Sequence, residues 1–338
     1  MIKAIKHENK GLKTTELVLS NDKFEVSLST YGASIYKYHY LKRNGTWVNL
    51  LIHPSDYEDF LFNRSYYGKT VGRTSGRLFL PSYEINGKTH KLESHGDPHV
   101  KLHGGKEGFS FQNFEVISID EALNEVVFYY RSKDMEEGYP GNLDLHVTYR
   151  LTAEGLEISY EATSDEDTLC NLTNHAYFNL DLKKDYIYDH QLELNAHEYL
   201  ELDDQYHYLK TTKSHYTCYD FTKIKQIKDN LNPLIKSKKL GFDTPFMTQT
   251  ETDYKGRLVS SESKLQLELY TSYPCIVIYT HNYKSNCALE GINTNGIHSS
   301  ICLEAQFEPA GIHHKNLNSS ILEKDKKYQH YIKYLVKE

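Results

Sequence analysis

The chain has 338 residues, with 39 Lys and Arg against 46 Asp and Glu, a formal net charge of −7. That balance excludes a nucleic-acid partner, because phosphate binding needs a concentrated basic surface. The lysine-rich stretches 223–239 and 324–327 are interrupted by acidic or apolar residues and read as solvated faces.

In chain order, the N-terminal MIKAIKHENKG lacks the apolar core of a secretion signal, and no run reaches the ~18 apolar residues of a membrane span. The expected compartment is the cytoplasm. Phe24–Leu28 alternates apolar and polar residues as a strand does. Ser55–Phe62 reads as a capped turn and a half of helix. Val126–Tyr130 is a further strand. Leu143, Leu145, Val147, Tyr149 and Leu151 alternate with polar residues. After the turn Thr152–Gly155, Leu156, Ile158, Tyr160 and Ala162 do the same, which makes a hairpin. Residues 223–236 carry a weak helical signal, broken by Pro233. Leu265–Leu269 alternates again, Cys275–Tyr279 is apolar throughout like a strand covered on both faces, and Ile301–Leu303 is a last strand. Strands separated by Gly-, Asn- and Asp-containing turns, without a linker or a fixed repeat, predict an all-β fold. The expected form is an antiparallel β-sandwich in one domain, residues 1–338. Tyr is common, 29 against 13 Phe and one Trp. This suits strands and polar pockets, though a coding bias explains it equally well. The five cysteines are odd in number, widely spaced and without a CxxC pair, so neither a zinc ribbon nor a disulfide framework is expected.

Five clusters join polar side chains to turns and strand ends. Gly72-Arg-Thr-Ser-Gly-Arg77 brackets Arg73 with glycines and precedes Arg77; a tight backbone there can aim a guanidinium inward, or simply form a salt-bridged turn. His103 precedes two glycines and is open to close approach. In Asn171–Asn179, strand geometry puts Thr173, His175 and Tyr177 on one face. Asp243 lies in a turn between aromatics. Cys302, Glu304 and Gln306 share one face of an apolar strand, where a carboxyl is costly to bury and its pKa climbs towards neutrality, as a general base requires. A buried, paired glutamate is the plain alternative.

Taken together, Gly72–Leu78, Leu102–Phe109, Glu137–Leu143, Asn171–Leu180, Gly241–Phe246 and Leu303–Pro309 resemble, in order, segments of the aldose 1-epimerases, the galactose mutarotases. The resemblance covers roughly residues 65 to 315 and implies a galactose mutarotase-like β-sandwich. It implies Glu304 as general base and His175 as general acid. It further implies Gly76, Arg77, His103, Tyr177 and Asp243 around a small monosaccharide, galactose or glucose. No metal, nucleotide or redox cofactor is implied, and the assembly is a monomer or homodimer. Gly76, Val277 and Thr244 stand where many members carry Asn, Gln and His, and Ala310–His314 also departs. These changes bear on substrate preference. The implied geometry is a carboxylate and an imidazole facing each other across a gap as wide as one pyranose.

Three rivals stay in view. A hexose 6-phosphate epimerase would need basic residues at the pocket rim, with Arg73 or Lys69 as candidates. A non-catalytic sugar-binding protein would keep the pocket alone. A His-rich metal hydrolase lacks histidine pairs at ligand spacing.

Overall fold

The structure, a computed structural model, describes residues 1–94 and 97–338. It is built from antiparallel sheets. A five-stranded sheet runs in sequence order from Ile2–Asn9 to Trp47–Asn49. A nine-stranded sheet has Glu115–Asp120 at one edge and Lys225–Gln226 at the other, with Lys327–Lys337 at its centre. A six-stranded sheet orders Tyr177–Phe178, Ile301–Gln306, Cys275–Tyr279, Asp243–Thr248, Ala196–Leu202 and Tyr208–Lys213. Residues from all three sheets join one apolar core, the arrangement of a large β-sandwich.

The hairpin shows why these residues fold so. Leu143–Leu151 pairs with Gly155–Ser164, Val147 opposite Tyr160, and the alternating apolar set of each strand is buried. A one-residue slip would turn that whole set to solvent, which pins the register. Cys275–Cys302 territory is different: Cys275–Ile278 and all of Ile301–Gln306 are buried on both faces, so no alternation shows.

Both helical segments form. Tyr57–Phe62 is capped by Asp56, whose carboxylate accepts from the Glu58 and Asp59 N–H groups. The second helix, Ile227–Lys236, runs through Pro233 instead of breaking there. A mid-helix proline costs ~3 kcal/mol. Burying Ile227, Leu231 and Leu234 on the inner face returns ~1.5–3 kcal/mol each, so packing wins.

Candidate active site

The loop after strand Val100–Leu102 supplies His103. Gly104 follows at φ +83, where a Cβ would lie 1.8 Å from the Gly72 carbonyl oxygen, so only glycine allows the loop to press onto the Gly72–Arg73 backbone. That contact seats His103 beside Gly76. The His103 N–H donates to Gly76 O at 2.8 Å. In return the Gly76 N–H donates to His103 Nδ1 at 3.2 Å. A nitrogen that accepts holds no hydrogen, so the neutral ring carries its hydrogen on Nε2.

The Asn171–Asn179 segment is not one strand. Thr173–Asn174 pairs with Thr70–Val71, Tyr177–Phe178 pairs with the Glu304 strand, and His175 lies between the two. Its backbone is held on both sides, N–H to Lys69 O at 3.0 Å and C=O from Gly68 N–H at 2.9 Å. His175 and Tyr177 remain neighbours, stacked at 5.0 Å between centroids. The Tyr177 hydroxyl points elsewhere and donates to Ser65 O at 2.7 Å.

Glu304 sits mid-strand opposite Val277. Its Oε1 lies 3.5 Å from His175 Nε2. The expected gap of one pyranose is therefore absent, and the two groups stand side by side on one wall. Arg77 donates to Asp243 at 3.0 Å, and its guanidinium lies 3.6 Å from the centre of the Tyr206 ring. All seven expected residues, Gly76, Arg77, His103, His175, Tyr177, Asp243 and Glu304, line one cavity of about 210 Å³.

Burial governs the electrostatics. It drives the Glu304 carboxyl well above the ordinary carboxylate range; the charge of Asp243 adds to the rise and Arg77 opposes it. Burial lowers His175 to about 3, against a backbone contact that favours the charged ring. It lowers His103 as well, with His175 and Arg77 adding. Both shifts favour the uncharged forms of the two groups, which stand 3.5 Å apart.

Reading by residue type missed several lining groups. Tyr66 covers both histidines, 4.7 Å from His103 and 5.9 Å from His175. Tyr206, Tyr279, His281 and Gln306 also border the cavity. Gln306 shares a strand face with Glu304 and lies in the Leu303–Pro309 segment, the two signals it carried. The two candidate phosphate ligands fail: Arg73 is 1% exposed and Lys69 is 0% exposed. Lys69 Nζ donates to Leu61 O at 2.7 Å. His103, His175 and Glu304 bring ligand atoms within 4.8 Å of one another, a grouping sequence spacing did not suggest. The Nε2–H tautomer of His103 suits donation to a ligand oxygen better than a metal bond.

This antiparallel sandwich is of the galactose mutarotase-like fold class. The sequence profile of the aldose 1-epimerase family matches residues 15–335. The aldose 1-epimerase of Escherichia coli is 30% identical over 297 residues, 86% of this chain and 84% of its own. The galactose mutarotase of Mus musculus is 31% identical over 321 residues, 92% and 91%. The crystal structure of galactose 1-epimerase from Lactobacillus acidophilus is 29% identical, covers 100% of this chain and 98% of its own, and superposes with a TM-score of 0.87. The chain belongs to the aldose 1-epimerase family and is an isomerase by class. No described helix is long and apolar enough to cross a membrane.

Proposed function

We propose that the chain interconverts the α and β anomers of a free hexose, galactose or glucose, in the cytoplasm, with Glu304 as general base and His175 as general acid. The observation that carries this reading is the 3.5 Å approach of Glu304 Oε1 to His175 Nε2 inside the cavity. Ring opening takes a proton from the C1 hydroxyl and gives one to the ring oxygen. Both oxygens are bonded to C1, so acid and base must be close together, as these two are.

The step balances within the pair. With the sugar in place, the working form is Glu304 carboxylate and His175 imidazolium, the tautomer of the neutral pair. Glu304 takes the hydroxyl proton as C1=O forms. The C1–O5 bond breaks, its electron pair goes to O5, and His175 Nε2 protonates it. After rotation about C1–C2, the reverse transfers close the ring on the other face. His103, through Nε2–H, donates to a sugar oxygen. Arg77 and Asp243 hold hydroxyls, Tyr177 packs against the acid, and Gly76 leaves room beside them. With Arg73 and Lys69 buried, the 6-phosphate reading loses its proposed ligands. The five free thiols fit a reducing compartment.

Glu304→Gln is expected to lower kcat by about 10²–10⁴-fold, measured by polarimetry on freshly dissolved α-galactose and α-glucose, with an unchanged circular dichroism spectrum. Wild-type turnover in that variant removes Glu304 as the base. Sugar binding without turnover by the wild-type chain establishes a non-catalytic receptor instead.

A further inference from the structure

The mechanism above leaves Cys302 without a task. It lies two residues before Glu304 on the same strand face, fully buried, opposite Tyr177 on one neighbouring strand and Tyr279 on the other. Its Sγ is 3.4 Å from His175 Nδ1. One strand face therefore contacts both ring nitrogens, sulfur at Nδ1 and carboxyl at Nε2.

We infer that Cys302 is a positioning residue for His175: its sulfur accepts the Nδ1–H and so assigns the transferable proton to Nε2. This rests on the reading of His175 as the acid. When imidazolium gives its Nε2 proton to the ring oxygen, the neutral ring left behind must keep its hydrogen on Nδ1. An acceptor is then needed on that edge, and the sulfur stands there. The opposite polarity, S–H donating to Nδ1, would leave neutral His175 with Nε2–H, unable to take the proton back when the ring closes.

The choice of sulfur has a chemical consequence. A carboxylate behind an imidazole, as in Ser-His-Asp triads, stabilises the imidazolium. A thiol is a weak acceptor, and this one stays a thiol because burial, with Glu304 and Asp243 adding, raises its pKa well above the usual value. It orients the ring without making it more basic, which keeps the imidazolium acidic enough to protonate a weakly basic ether oxygen. The other groups facing His175 are the rings of Tyr66, Tyr177, Tyr279 and His103, and His281, itself lowered to about 4 by burial. Among the described residues packed on His175, Glu304 is thus the one acid.

The experiment compares Cys302→Ser, Cys302→Val and Cys302→Ala by polarimetry on α-galactose across pH 5–9, with thermal midpoints as a check on folding. Expected is a fall in kcat of about five- to tenfold for Val and Ala with KM within about twofold, the size of one neutral hydrogen bond. Ser, which keeps an acceptor, is expected to recover kcat to within about threefold and to move the pH profile. If Val matches Ser, the side chain only fills space and the inference is overturned. Unchanged kcat and pH profile in Ala overturn it as well. His175→Gln runs alongside: its inactivity together with a fully active Cys302→Ala rejects the positioning role alone, whereas an active His175→Gln rejects the reading of His175 as the acid beneath it.

Discussion

Arg73 and Arg77 stand four residues apart in one glycine-bracketed segment, and they meet opposite surroundings. Arg73 is wrapped by backbone. Its guanidinium donates to Ser132 Oγ and O, Lys133 O, Pro140 O, Gly141 O and Thr168 Oγ1 at 2.8–3.2 Å. Two of those acceptors belong to Glu137–Leu143, a segment that lines no part of the cavity. Nearby, Glu137 ion-pairs with the buried Lys101 and accepts from the Glu107 N–H. Among the described residues Arg77 has one hydrogen-bond partner, Asp243; its guanidinium lies against the Tyr206 ring and borders the cavity. A guanidinium whose donors are saturated by carbonyls is a structural bolt, while one left with spare donors beside open space is available to a ligand. Side-chain type is the same; the count of satisfied donors differs.

Exchanging the roles of these two residues tests the contrast. Arg73→Met should cost about 3–5 kcal/mol, because several buried acceptors are orphaned together. The thermal midpoint should fall by on the order of 5 °C or more, with KM nearly unchanged in the folded fraction. Arg77→Met should do the reverse, lowering kcat/KM by about 10–100-fold, the worth of a charged hydrogen bond, with a midpoint within a few degrees of wild type. If Arg73→Met raises KM strongly, or Arg77→Met unfolds the chain, the distinction fails.

A pH effect separates buried histidines from the Glu304 carboxyl. Burial lowers His53 to about 4, His190 to about 3 and His281 to about 4, from the usual 6.5. Their contribution is fully present above pH 6.5 and is lost as pH falls towards 4. Each accounts for at most ~1.4 kcal/mol per pH unit within that window. The raised Glu304 carboxyl acts with the opposite sign, its contribution disappearing as pH rises through its elevated value. Thermal midpoints measured from pH 7 down to pH 5 should therefore decline. A flat profile would show those histidines to be solvated.

Strands with one wet face were legible in the sequence, as in Leu143–Ser164, because a two-residue period exposes itself wherever one side meets water. The strands beneath the cavity show no such period, being covered on both sides, and there a lone carboxyl in an apolar run, together with the motif at Leu303–Pro309, pointed to Glu304. Arg73 and Arg77 are indistinguishable in spacing; only the chain that closes around each decides. Tyr66 and Tyr206 were invisible for a related reason. Both hold left-handed backbone conformations in connecting loops, φ 59 and φ 65, and their contacts arise from distant parts of the chain. Pro233 misled because local propensity ranks below the burial of three apolar side chains.

His175 and Glu304 come from different thirds of the chain and are brought together where Tyr177–Phe178 pairs with Ile301–Gln306. Neither half of a polypeptide cut between them contains both members of the pair. Activity recovered by two co-expressed fragments would then report their reassembly and serve as a readout of chain association.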